Sequence, residues 1–131
     1  LYLADSDGEA LVLHLNSLLG IAGWRQDQAI VRLDRPADIE YRLSSGDDAI
    51  SIQQLRRNSS GGVARTTSQI PVFGVSPQVE WGCEPAVATC WVYDPRDGSR
   101  LLQLSPNRSQ VEEIAQTLGK LIRNLQTPSG S

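Results

Sequence analysis

Three groups of residues carry side chains able to do chemistry. The first is Asp5-Ser6-Asp7, two carboxylates one residue apart near the start of the chain. Carboxylates so spaced can share a divalent cation, or divide nucleophilic and acid/base work between them. The second is the pair Cys83 and Cys90, the only cysteines, in the spacing C-x6-C. The third is a mixture of cations and apolar rings, Arg56, Arg57, Arg65, Phe73 and Trp81, of the kind that recurs at protein interfaces. The lone histidine, His14, has the chemistry of a general base. No serine or cysteine partner for it is identifiable, and it reads as a spacer on a helix flank.

Leu1-Tyr2-Leu3-Ala4-Asp5-Ser6-Asp7-Gly8 resembles the first motif of haloacid-dehalogenase-like phosphatases, four apolar residues followed by Asp-x-Asp-Gly. The resemblance implies Asp5 as nucleophile, Asp7 as acid/base and Mg²⁺ to neutralise the phosphate. It departs at Glu9, where Thr or Val is usual. It also lacks the family's later lysine followed by acids: Lys120 is the only lysine, no acid follows it, and Asp47-Asp48 precedes it. The same residues describe a helix start, with Ser6 as N-cap, Glu9 at capping-box spacing, and Asp7 and Glu9 at the positive end of the dipole. That structural reading is favoured. A calcium loop fails because its twelfth position would be Asn16, not Glu.

Two thiols and one distant histidine are too few for a closed zinc site, so no metal and no cofactor are expected. Bridged, Cys83 and Cys90 would staple the loop Glu84–Thr89 and favour an extracytoplasmic location, periplasmic or secreted. Unbridged, they are small apolar residues. The 131 residues, 40% hydrophobic and 21% charged, suit one globular domain rather than a disordered chain. Net charge is −3 and the bases, eleven Arg and Lys120, are scattered, which argues against a nucleic-acid partner. No apolar run approaches the ~20 residues of a membrane helix. Residue 1 is Leu and no Met occurs, so a signal peptide or membrane span is open to precede Leu1.

The elements that must position these groups follow from periodicity. Leu11, Leu15, Leu18, Leu19 and Ala22 form one face of a helix over 6–22. The period then changes to two, predicting a hairpin of strands 29–33 and 39–43 around Asp34–Ala37, and a third strand over 49–55. Residues 56–78, with Gly61-Gly62, Pro71, Gly74 and Pro77, read as a long loop containing one short strand near 70–73. Strands follow at 78–81, 89–93 and 100–104, the last two joined by the turn Asp94–Gly98. Val111, Ile114, Ala115, Leu118, Leu121, Ile122 and Leu125 then predict a long amphipathic helix over 106–125, capped by Ser105 with Pro106, or by Asn107. Residues 127–131 form a polar tail.

The expected fold is therefore α+β: a single domain over 1–126, a mostly antiparallel sheet of five to six strands, and a helix at each end. At pattern level it resembles pleckstrin-homology-like domains, without their basic lipid site, and type IV pilin-like proteins, which do not close in a helix. The favoured function is a non-catalytic protein-binding or assembly module with a protein partner, the soluble part of a larger envelope- or membrane-associated protein. Its binding residues would be Arg56, Arg57, Arg65, Phe73 and Trp81. A chaperone-like or pilin-like self-associating subunit is the alternative, with an oligomer possible, and the Mg²⁺-dependent phosphatase is the second.

Overall fold

The structure, a computed structural model, describes residues 7–26, 37–58 and 60–127. Its clearest element is the helix α2, Arg108–Gln126. Asn107 starts it, its side-chain oxygen accepting from the Gln110 N–H at 3.1 Å, so the cap falls on the second of the two candidates. The predicted stripe faces inward: Val111, Ile114, Ala115, Leu118, Leu121 and Ile122 are buried. The far end is pinned by Gln126, whose Nε2 donates to the carbonyls of Val72 and Val75 at 2.7 and 2.6 Å. The first helix, α1, spans Asp7–Ile21 and buries Leu15 and Leu19. The proposed cap Ser6 lies outside the described residues.

Among the described residues six strands lie between the helices: β1 (Ile39–Ser45), β2 (Ala49–Arg57), β3 (Val63–Pro71), β4 (Trp81–Glu84), β5 (Thr89–Tyr93) and β6 (Arg100–Leu104). They form two antiparallel three-stranded sheets, β1-β2-β3 and β4-β5-β6, instead of the one sheet expected. A short stretch after α1 joins them. Gly23 bridges Leu104, Trp24 bridges Ile39, and the Ser105 N–H donates to the Ala22 carbonyl. Across the same seam the Gln103 N–H donates to the Tyr41 hydroxyl at 2.9 Å. Gly23 is required there, because a Cβ would lie 2.5 Å from that of Ala37. One apolar cluster takes residues from both helices and both sheets, which makes the fold α+β with the helices packed on each other and on the inner sheet faces.

Two expectations about strands are corrected. Residues 56–78 are not one long loop: β2 runs on through Arg57, a turn follows, and β3 fills 63–71. The turn is built by Asn58, whose side chain accepts from the Gly62 N–H, with Gly61 at φ +89°. Periodicity could not reveal β3, because Val63–Gln69 are exposed on both faces and only Ile70 is buried. Its register comes from the β2 ladder rather than from burial. Strand β4 begins at Trp81 and not Gln78, where its ladder with β5 starts. The proposed strand 29–33 lies outside the described residues, and β1 pairs with β2.

The other edge of β1 is closed by side-chain chemistry. The Asn16 amide donates to the Leu43 carbonyl at 2.9 Å and accepts from the Leu43 N–H at 2.8 Å. Together with the Trp24–Ile39 bridge, this satisfies backbone groups of β1 that lack a strand partner.

Candidate functional site

Alternation along β1 and β2 sends Ile39, Tyr41, Leu43, Ile50 and Ile52 inward. It therefore places Glu40, Arg42, Gln53, Leu55 and Arg57 on the outer face. The register sets Arg42 opposite Gln53, and Leu55 between Glu40 and Arg65. Arg42 and Arg65 thus flank the two central residues from the neighbouring strands. They line a shallow trough of about 300 Å³ that runs on to Asn16 and Gly20 of α1. Arg57 is committed elsewhere, 3.3 Å from Glu40 and donating to the Ala37 carbonyl at 2.8 Å. Arg42 and Arg65 form no ion pair among the described residues. Two guanidinium groups on the outer strands of the sheet, one on either side of β2, suit a carboxylate-rich ligand, each able to bind a carboxylate bidentately.

This trough adjoins β3, which ends the strand order. Its outer edge pairs with no further strand among the described residues. Nine residues is long for such an edge, and Pro71 blunts only its final position. Arg96 reaches the nearer end, donating to the Gln69 carbonyl at 3.5 Å.

The residues picked from the sequence are distributed over several surfaces. Arg65 and Arg57 share the outer face of β1-β2-β3, whereas Arg56 alternates to the opposite face. Phe73 is 61% exposed in the segment after β3. Trp81 is half-buried against the core, with the Arg108 guanidinium stacked 5.0 Å from its ring centre. A lone arginine in an alternating strand, such as Arg42, carries no signal in the sequence until the register places it across from Gln53 and on the same trough as Arg65. Trp91 sits under the Arg100 guanidinium at 4.3 Å, and Arg100 is ion-paired to Glu84. The three residues come from β6, β5 and β4 and cross the outer face of that sheet as one stack.

Asp94 is 5% exposed, and its carboxylate is taken up by Arg96, accepting from both the side chain and the backbone N–H. Hydrogen bonding from the Arg96 side chain, above all, holds its pKa below the usual aspartate range. Asp97 is lowered by the Ser99 backbone and hydroxyl donors. Burial pushes the Tyr41 phenol up. Asp7 is exposed as the first residue of α1, and Asp5 lies outside the described residues. His14 Nε2 lies 3.6 Å from Glu113 Oε1. Among the described residues no group of three or more His, Cys, Asp or Glu could hold a metal ion. Cys83 and Cys90 face each other across β4 and β5 with their sulfurs at disulfide distance, 1.93 Å, closing a single 3-10 turn at Pro85–Val87. No described helix is long and apolar enough to cross a membrane. Compared with known proteins, the chain matches no family model, no curated protein and no solved structure.

Proposed function

We propose that this chain is a non-catalytic binding module that captures an extended, acidic segment of a partner protein along the edge of β3. The observation that carries the reading is the coincidence, among the described residues, of a nine-residue strand edge without a neighbour and two arginines without an ion pair, Arg42 and Arg65, on the adjoining face. Strand addition supplies affinity through backbone hydrogen bonds, which are indifferent to sequence. The arginines supply selectivity, because a partner strand laid along β3 presents alternate side chains to the face where Arg65 lies. The cysteine pair at disulfide distance supports placement of the module in an oxidising compartment, as the soluble portion of a larger envelope-associated protein.

The reading is tested with two fluorescent peptides of alternating sequence, one Glu–Val and one Lys–Val, titrated by polarisation. The acidic peptide should bind, weakening as salt is added. Arg42→Glu with Arg65→Glu should loosen it at least tenfold. Proline at Thr66 or at Thr67, made singly, should do the same at whichever position points its N–H outward. Equal binding of the lysine peptide, or an unchanged affinity in the charge-reversed variant, refutes the proposal. The same edge can also pair with its copy in a second chain. A concentration-dependent dimer abolished by the proline variants would favour the self-associating subunit instead.

A further inference from the structure

A second site, independent of the strand edge, is formed where the helices meet. Asp7, Ala10, Leu11 and His14 are spaced i, i+3, i+4, i+7 along α1, and Lys120, Arg123, Asn124 and Thr127 repeat that spacing at the end of α2. The first set is one face of α1; Lys120, Arg123 and Asn124 are one face of α2, and Thr127 is the C-cap residue just beyond it. The two faces enclose an open groove of about 530 Å³, within the ~300–1,000 Å³ range of small-molecule sites. The helices run in opposite directions there: His14 meets Glu113 near the start of α2, while Asp7 lies beside the residues at its end.

The groove's chemistry is asymmetric. Ala10 and Leu11 supply an apolar floor, half-buried. Lys120 and Arg123 supply two positive charges on one wall, and neither forms an ion pair among the described residues. Elsewhere Arg57, Arg96 and Arg100 each have a carboxylate partner. Among the described residues Asp7 is the one acid lining the groove, so the formal charge of that lining is positive in a chain whose net charge is −3.

We propose that this groove binds a small anionic amphiphile, a free single-chain carboxylate, with its head between Lys120 and Arg123 and its tail along Ala10 and Leu11. Inorganic phosphate would meet the charges but leave the apolar floor unused. A membrane surface would need more than two cations and a projecting apolar face for stable docking.

The test uses the chain of residues 1–131 and decanoate below its micellar concentration, with decanol, inorganic phosphate and anionic vesicles as comparison probes. Calorimetry should give saturable binding of decanoate. Amide shifts in a ¹⁵N spectrum should concentrate on Ala10, Leu11, His14, Lys120, Arg123 and Asn124. Lys120→Gln with Arg123→Gln should loosen decanoate at least tenfold without changing the melting temperature, since both side chains are exposed. Lys120→Arg should retain binding. The proposal is overturned by unchanged affinity in the double variant, by shifts centred elsewhere, or by the absence of saturable binding. It is equally overturned if decanol or phosphate binds as tightly as decanoate, or if binding appears only with vesicles.

Discussion

The Asn16 clamp on Leu43 makes a quantitative prediction. Leu43 is 2% exposed, and its N–H and C=O both find their outward partner in one carboxamide. Asn16→Ala removes both bonds and leaves two buried backbone groups unmatched. Each unmatched group costs about 1–3 kcal/mol, and Asn16 is close enough to solvent for water to recover some of that. The expected loss is therefore about 2–4 kcal/mol, read from urea melts at constant m-value. At roughly 4 °C per kcal/mol for a chain of this length, the melting temperature should fall by roughly 8–16 °C. Asn16→Asp separates the two bonds. Its carboxylate can still accept from the Leu43 N–H but opposes the Leu43 carbonyl, whereas its protonated form can donate to that carbonyl. The folded state should thus raise the new carboxyl's pKa. Its contribution is complete below about pH 4, near the ordinary aspartate value, and is lost as pH rises through the folded value. Relative to wild type, this variant should recover stability in mild acid, and the alanine variant should not. A loss below 0.5 kcal/mol for Asn16→Ala, or identical pH profiles for the two variants, would refute the reasoning.

Other perturbations have definite signs. Gly119→Ala would place a Cβ 2.3 Å from the Pro77 carbonyl oxygen. The clash should outweigh the ~1 kcal/mol helix-propensity gain and destabilise the fold by about 1–3 kcal/mol in thermal melts. Asp94 has a lowered pKa, so its contribution is complete above about pH 4 and disappears as pH falls through the lower folded value. Asp94→Asn should flatten that acid limb of the stability curve, and Asp94→Ala should cost about 1–2 kcal/mol at neutral pH, a modest figure because Arg96 is 42% exposed. Thiol titration of the unreduced, unfolded protein should find no reactive cysteine. Cys83→Ser with Cys90→Ser should then cost about 2–3 kcal/mol on the chain-entropy model.

What could be read from the sequence was whatever burial had written into it. Helix α2 was legible to within two residues, because its buried stripe repeats for five turns and its polar face is charged. Strands β5 and β6 were found at their observed bounds, since Val92, Leu102 and Leu104 must face the core and the Asp94–Gly98 turn separates them. Strand β3 left no such trace. Thr66, Thr67 and Ser68 face solvent on either side, and only pairing with β2 defines them. The proposed site inherits this difficulty. Arg65 was noticed as one of a scattered set, but its relation to Arg42 is a matter of register, which one strand cannot report. Asn16 looked like an ordinary polar position on an apolar helix, and its task depends on a residue 27 positions away.

The seam at Ala22–Trp24 bears on how the molecule comes apart. Each sheet is a meander whose neighbouring strands are close in sequence, so each could form early from local contacts. The residues that unite them come from the end of α1 and must reach Ile39 on one side and Leu104 and Ser105 on the other. That closure spans about 80 positions of chain and cannot be completed until β6 has been laid down. The two meanders should accordingly lose structure in one concerted step. In native-state hydrogen exchange, the amides of Trp24, Ile39 and Ser105 should open together, at the free energy of global unfolding.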